Sequence, residues 1–227
     1  MGLEQNLDNV KACIIQAAER VNRNPKDITL VAVTKKHPIE TMQSLIDLGV
    51  TDIGENKAQE VRDKYSLLQR DVAWHFIGHL QKNKIKYIID KVAMIHSVDQ
   101  YDLAAEISRQ AKLINRVVPV LIEVNVSGES SKFGLHPQEV EPLLKELMSL
   151  PGIEPLGLMT MAPHEADPEM TRPVFRGLNK LFNEMVDHGF KLTILSMGMS
   201  NDYSIAIEEG ATHVRVGSAI LGERPVK

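Results

Sequence analysis

Short apolar runs rich in β-branched residues alternate along this chain with longer segments whose apolar residues recur at helical spacing. From Leu3 to Val21 the repeat predicts an amphipathic helix that ends near Arg20, before Asn24 and Pro25. Strand-like runs follow at positions 29–35, 51–55, 74–78, 94–98, 119–125, 155–161, 193–197 and 213–216. Helical patterns between them cover positions 39–48, 57–68, 81–89, 100–115, 137–150, 169–188 and 201–209.

This alternation predicts a mostly parallel sheet, because parallel neighbours need a helical crossover. Eight strands in 227 residues match a compact α/β fold, a (β/α)8 barrel or TIM barrel, with one extra N-terminal helix. A doubly wound open sheet is the alternative, but no GxGxxG follows the first strand, which weakens a dinucleotide-binding version. No linker-like stretch divides the chain, so we predict a single domain over residues 1–227.

Composition points away from nucleic acid and from membranes as partners. The net charge is −4, and no apolar run approaches the length that spans a bilayer. The N-terminus lacks the basic and apolar regions of a signal peptide, so we expect a cytoplasmic protein. Cys13, the single cysteine, fits a small core residue better than a reactive thiol. The histidines and this cysteine show no spacing typical of a metal site.

The segment ITLVAVTKKHP at positions 28–38 ends an apolar strand in two lysines. The last side chains of a barrel strand reach the mouth of the barrel, where function is found. An amine there can form a Schiff base with an aldehyde cofactor. Strand alternation places Val31, Val33 and Lys35 on one face and turns Lys36 to the other, which favours Lys35. Taken alone, the segment is also explained by lysines that mark where a strand meets water.

Two loops late in the chain have the composition of a phosphate site. Residues 196–201, SMGMSN, lie at the end of the seventh strand, and Gly217 and Ser218 follow the eighth. Small and hydroxyl residues before a helix expose N–H groups that bind a phosphate dianion, and barrels often hold phosphate at these two loops. Helix capping by Ser196, Ser200 or Ser218 explains either loop singly, whereas two adjacent loops favour phosphate.

Arg215 lies inside the apolar eighth strand, in VRVG, and needs a partner because a buried unpaired charge is costly. One interpretation is a structural ion pair with Glu55 or Glu123. The other places the guanidinium against the ring nitrogen of a cofactor, where an always-charged donor keeps that nitrogen unprotonated. The ring is then a weaker electron sink than one paired with a carboxylate.

Eight segments of the chain occur together and in order: VAVTK, GEN, WHFIGHLQKNK, HSVD, the SGESSKFG loop, GLMTM, LSMGMSND and VRVGSAILG. In this combination the chain resembles the pyridoxal phosphate homeostasis proteins, a family similar in fold to the N-terminal domain of alanine racemase. The resemblance covers nearly the whole chain. It implies pyridoxal 5'-phosphate as the cofactor and suggests a monomer.

The resemblance also implies residue roles. Lys35, directly after VAVT, is the expected Schiff-base lysine. Asn56 is expected beside the cofactor, His79 in a loop that approaches it, and Arg215 at the pyridine nitrogen.

At the phosphate, the resemblance implies contacts from Ser200, Gly217 and Ser218. Ser196 and Met199 are expected to shape the pocket around them.

Two functions remain open at this point. One is a non-catalytic protein that holds pyridoxal phosphate and delivers it to apo-enzymes within the cell. The other is an amino-acid racemase of the alanine racemase type. The chain ends soon after the eighth strand and leaves no room for the second domain that supplies a catalytic tyrosine in alanine racemase. Tyr203, near the phosphate loop, stays a candidate base; we expect the non-catalytic function.

One single lysine and one group of four lysines are further candidates. Lys132, in the loop after the fifth strand, can lie at the same mouth as Lys35 and accept the cofactor briefly during transfer, or it can be a surface lysine. The remaining group, which fits a solvated helix face or a surface for an acidic partner, consists of Lys82, Lys84, Lys86 and Lys91.

Overall fold

Eight parallel strands close into a barrel in chain order, with β8 hydrogen-bonded back to β1. The computed structural model describes residues 2–68, 70–129, 132–163, 165 and 167–222. Strands β1 to β8 are Thr29–Val33, Asp52–Glu55, Ala73–Phe76, Met94–Val98, Val118–Glu123, Ile153–Met159, Ile194–Ser196 and His213–Val216. The predicted barrel with its N-terminal helix is confirmed, and the open-sheet alternative is wrong.

Helices cover the outside of the barrel. Within the described residues, α1 to α8 are Leu3–Arg20, Ile39–Asp47, Ala58–Tyr65, Tyr101–Leu113, Val140–Leu147, Arg172–Asp187, Tyr203–Glu208 and Ser218–Leu221. Short 3-10 helices are Pro25–Asp27, Lys82–Tyr87, Pro137–Glu139 and Pro168–Thr171. The α-helix predicted over 81–89 is therefore a 3-10 helix in its centre. Ile85 and Ile88 are both fully buried, and their spacing of three matches the 3-10 repeat.

The N-terminal helix α1 completes the ring of helices. Its buried stripe includes Leu7, Val10 and Ile14, and it packs against α7 and α8. Lys11 Nζ donates to the carbonyl oxygen of Leu48, at the end of α2, at 3.2 Å. Because α8 has only four residues, α1 supplies the cover that a longer last helix would give between β8 and β1.

Side chains that point into the barrel form an apolar side and a polar side. Met94, Leu121 and Met159 pack together as an apolar cluster of their own. Four of the buried polar side chains lie together on β3, β4, β7 and β8, and these are His75, His96, Ser196 and Arg215. The interior is therefore a packed layer, and in barrels of this type ligands bind above it, at the C-terminal ends of the strands.

Candidate functional site

A cavity of about 470 Å³ lies at the C-terminal ends of the strands. A cavity of this size holds a small organic ligand. Eight of the nine residues predicted for the site line it: Lys35, Asn56, His79, Met199, Ser200, Arg215, Gly217 and Ser218. The barrel thus brings together side chains that are up to 183 positions apart in sequence, from Lys35 to Ser218.

Lys35 reaches the cavity from a turn rather than from the strand itself. β1 ends at Val33, two residues earlier than predicted, and Lys35 follows in a half-buried position. Lys36 adopts a left-handed backbone conformation with φ of 66° and is exposed, and its N–H donates to Glu60 Oε2 at 2.8 Å. The turn therefore directs Lys35 into the cavity and Lys36 away from it, as strand alternation suggested.

A partly buried ion cluster behind this turn is not predicted by the sequence. Lys64 Nζ donates to Glu55 Oε1 at 2.8 Å, to Glu60 Oε2 at 2.9 Å and to the carbonyl oxygen of Thr34 at 3.2 Å. Glu55 also accepts from Thr34 Oγ1 at 2.8 Å. Burial raises the pKa of Glu55 more than Lys64 lowers it. Through the carbonyl oxygen of Thr34, the cluster anchors the backbone just before Lys35. Glu55 forms its ion pair with Lys64 and not with Arg215.

The ends of β2 and β3 approach each other closely beside the cavity. A Cβ atom at Gly78 would lie 2.8 Å from Cα of Asn56, so only glycine permits this approach. His79, the next residue, is exposed at the rim and stacks on Phe133 with ring centroids 4.2 Å apart. Phe133 belongs to the SGESSKFG loop, and it lines the cavity although its role was not predicted. Ser130 and Ser131 of that loop lie outside the described residues.

The loops after β7 and β8 meet at the opposite side of the cavity. Ser200 Oγ accepts from the backbone N–H groups of Gly217 and Ala219, at 3.1 and 3.3 Å. Gly198 has a φ of 92°, and a side chain there would collide with Ala206 of α7. This glycine therefore lets the loop fold tightly onto the helix that follows. The result is a surface of hydroxyl and N–H donors suited to an anion.

Arg215 is buried between this surface and the barrel interior. Its Nη1 donates to Ser196 Oγ at 2.7 Å and its Nη2 to the carbonyl oxygen of Thr160 at 2.9 Å. Burial lowers the pKa of Arg215 to about 10, against the opposing charges of Glu123 and Asp202, so it stays protonated at neutral pH. Of the two interpretations, the ion pair is not formed with either Glu55 or Glu123, although the charge of Glu123 raises the pKa of Arg215 from a distance.

Ser196 does not line the cavity. It is fully buried beneath Arg215, where its hydroxyl also contacts His96 Nδ1 at 3.0 Å. The last residue of β7 points into the barrel, whereas the loop residues after it rise to the mouth. Any effect of Ser196 on a ligand is therefore exerted through Arg215.

Two carboxyl groups near the cavity are absent from the predicted site residues, although Glu123 was considered as an ion-pair partner of Arg215. Glu123, the last residue of β5, is buried and lines the cavity. Burial and the charge of Asp99 raise its pKa to about 7, with Arg215 opposing. Asp99 follows β4, and its Oδ1 is buried without a hydrogen-bond partner among the described residues. Both follow the strand-end rule, but nothing in their local sequence marked them.

The remaining candidates lie at the edge of the site or outside it. Lys132 Nζ pairs with Glu129 at 3.2 Å and lies 3.4 Å from the carbonyl oxygen of Met161, a cavity residue. Tyr203 packs outside the barrel, where its hydroxyl contacts Cys13 of α1 and burial raises its pKa. No tyrosine among the described residues lines the cavity.

Comparison with known proteins shows the family of this chain. The family model "Alanine racemase, N-terminal domain" matches residues 5–225. A pyridoxal phosphate homeostasis protein of Aquifex aeolicus is 43% identical over 222 residues, covering 97% of both chains. The chain belongs to the pyridoxal phosphate homeostasis protein family.

Two solved structures are similar throughout. A protein of unknown function from Bifidobacterium adolescentis superposes with a TM-score of 0.92 at 37% identity, covering 96% of this chain and 94% of the other. PipY of Synechococcus elongatus, solved with pyridoxal phosphate bound, has a TM-score of 0.86 at 29% identity, covering 97% of this chain and 100% of PipY.

Across the described residues there is no helix with the length and hydrophobicity of a membrane span.

Proposed function

We propose that this protein binds pyridoxal 5'-phosphate as a Schiff base on Lys35 and serves in pyridoxal phosphate homeostasis, by storage and delivery to apo-enzymes, without catalytic turnover. The observation that carries the proposal is the convergence of three groups in one cavity. These are the amine of Lys35, the anion-binding surface around Ser200 and Gly217, and the buried cation of Arg215. Pyridoxal phosphate carries one partner for each of these groups. Its aldehyde matches the amine, its phosphate matches the anion-binding surface, and its pyridine nitrogen matches the guanidinium.

The residues of the site fit the cofactor. When bound, pyridoxal phosphate supplies an aldehyde that an amine can attack. Ser200, Ser218 and the backbone N–H groups near Gly217 would hold the phosphate, while Asn56 and Met199 would flank the ring. The buried acceptor of Asp99 also leaves an unmet demand for a donor beside this space.

Arg215 supports a holding function over a catalytic one. Its guanidinium keeps its proton at neutral pH and donates only, so a ring nitrogen facing it stays unprotonated. Carbanion chemistry at an amino acid is then poorly supported. Racemisation also needs acid–base groups on both faces of the substrate, and Tyr203 contacts Cys13 instead of the cavity.

The alternative is an amino-acid racemase. Glu123 favours it, because a buried carboxyl with a pKa of about 7 in the cavity can both give and take a proton near neutrality.

The single-domain organisation, cytoplasmic location and monomeric state expected from the sequence complete the primary proposal.

The two functions are separated by a pair of assays on the loaded protein. Mixed with an apo-enzyme that needs pyridoxal phosphate, in the presence of a trap for the free cofactor, the protein should restore activity. Amino acids incubated with it in deuterated water should gain no deuterium at the α-carbon. Rapid deuterium incorporation, lost in Lys35→Ala, would support the racemase instead.

Lys132 is tested in the same transfer assay. We propose it as a second amine at the mouth, on the basis of its position next to Met161. Lys132→Ala should slow transfer to the apo-enzyme while leaving equilibrium binding of pyridoxal phosphate nearly unchanged. An unchanged transfer rate would remove Lys132 from the proposal.

A further inference from the structure

A continuous chain of hydrogen bonds crosses the barrel interior from the N-terminal end to the cavity. Asp52 Oδ1 lies 2.8 Å from His75 Nε2, and His75 Nδ1 lies 2.8 Å from His96 Nε2. His96 Nδ1 lies 3.0 Å from Ser196 Oγ, which accepts from Arg215 Nη1 at 2.7 Å. Five side chains from five strands, β2, β3, β4, β7 and β8, are thereby linked.

The two ends of this chain set its direction. Arg215 has donors only, and the carboxylate of Asp52, whose pKa is lowered by His75 and Thr51 against its desolvation, has acceptors only. With Ser196 donating to His96, each histidine accepts at Nδ1 and donates from Nε2. Every group is then satisfied with both histidines neutral. Burial lowers the pKa of His96 well below its ordinary value, which agrees with the neutral form.

The chain is shielded from water along most of its length. His96 and Ser196 are fully buried, and His75 is 3% exposed. Only Asp52, at the first residue of β2, is partly open, in a groove on the face opposite the cavity. Apart from Asp52 and Arg215, the ionisable neighbour that faces both histidines is His213 of β8, with ring centroids 6.1 and 6.3 Å away.

We propose that His96 and His75 are positioning residues that hold the guanidinium of Arg215 toward the cofactor by fixing the Ser196 hydroxyl. This inference rests on the proposed function. His96 keeps Ser196 Oγ in the rotamer that receives Arg215, and His75 with Asp52 keeps His96 in one tautomer. Thr160 anchors the other arm of the guanidinium through its carbonyl oxygen. Arg215 is thus held from beneath by two oriented acceptors and faces upward to the ring.

A double-mutant cycle on binding of pyridoxal phosphate tests this role. The four proteins are the wild type, His96→Leu, Arg215→Ala and the double variant. His96→Leu should weaken binding about twofold to tenfold, the range of one net hydrogen bond. In the Arg215→Ala background the same change should have no further effect, because His96 acts only through Arg215. Equal weakening in both backgrounds would overturn the proposal.

A second readout separates positioning from general damage to the barrel. The pH midpoint at which the visible band of the bound cofactor titrates should shift in the same direction in His96→Leu and in Arg215→Ala. His96→Gln keeps an acceptor for Ser196 and a donor for His75, so it should restore both the wild-type midpoint and the wild-type affinity. A midpoint unchanged in His96→Leu, or a His96→Gln no better than it, would contradict the role.

The controls keep the two proposals apart. If the wild type itself fails to bind pyridoxal phosphate, the proposed function fails and the cycle has no baseline. If the wild type binds and the cycle is additive, only the positioning role fails. Should His96→Leu not fold, as judged by thermal unfolding, the cycle is repeated with Ser196→Ala in place of the histidine change, and non-additivity with Arg215→Ala is again the expected result.

Discussion

The hydroxyl oxygen of Ser200 accepts the backbone N–H of Gly217 at 3.1 Å, and this contact joins the loop after β7 to the loop after β8. Ala219 donates to the same oxygen at 3.3 Å. Two segments that are separate in sequence thus form one donor surface on the cavity wall. A phosphate on this surface would compete with Ser200 Oγ for the N–H groups of Gly217 and Ala219. It would also accept a hydrogen bond from the Ser200 hydroxyl.

Ser200→Ala should therefore discriminate between ligands with and without a phosphate. We expect affinity for pyridoxal phosphate to fall about tenfold or more, because a hydrogen bond to a charged group is lost. Affinity for pyridoxal should hardly change. Spectroscopic titration with both ligands measures the difference, and Ser66→Ala, at an exposed position after α3, is the matched control. Equal weakening of both ligands would show that Ser200 shapes the cavity without binding phosphate.

Lys64 should prove important for stability although it lies outside the cavity. Lys64→Met leaves Glu55 buried without its cation, which should cost about 3 kcal/mol in the free energy of unfolding. Glu55→Gln in the same chain removes the stranded charge and should recover much of that loss. Urea unfolding measures both, and Lys57→Met, at an exposed position before α3, should change stability by less than about 0.5 kcal/mol. A Lys64→Met variant as stable as the wild type would contradict the importance of the cluster.

Glu123 should make the free protein less stable as the pH rises. Its folded-state pKa of about 7 lies above its ordinary value of 4.5, so the folded state binds this proton more tightly than the unfolded state. The stabilisation is complete below pH 4.5 and is lost as the pH rises through 7, by about 3 kcal/mol at most.

Glu123→Gln removes this dependence. The variant should match the wild type near pH 4.5 and exceed its stability at pH 8, as measured by denaturant unfolding without cofactor. Glu154→Gln, at an exposed position of β6, is the control and should leave the pH profile unchanged. A Glu123→Gln variant that is no more stable than the wild type at pH 8 would show that the carboxyl is ionised in the fold at little cost.

The sequence predicted the barrel and most of the cavity because both depend on local periodicity. Apolar runs located the strands, and the rule that strand ends converge then gathered Lys35, Asn56 and Arg215 into one site. The same rule did not single out Glu123 and Asp99 as residues of the site. Each is a single acidic residue after a strand, and what distinguishes them is burial beside each other and beside Arg215, which depends on three-dimensional packing.

The type and the ends of individual helices and strands are also set by three-dimensional packing, which local sequence does not show. The prediction of an α-helix at 81–89 followed from apolar spacing, but three and four residues are hard to tell apart over a single turn. Ser196 is expected to shape the pocket, but as the last residue of β7 it faces the barrel interior and does not line the cavity. Two of the strand histidines are buried in the barrel, and the hydrogen-bonded chain that they form with Asp52, Ser196 and Arg215 requires five strands in register.

Borohydride reduction of the protein loaded with pyridoxal phosphate, followed by peptide mapping, tests the central proposal most directly. We expect a yellow protein whose reduced pyridoxyl group is found on Lys35, with the colour lost in Lys35→Ala and kept in Lys36→Ala. A pyridoxyl group on Lys36 or Lys132 in place of Lys35, or a colourless protein that takes up no added pyridoxal phosphate, would contradict it.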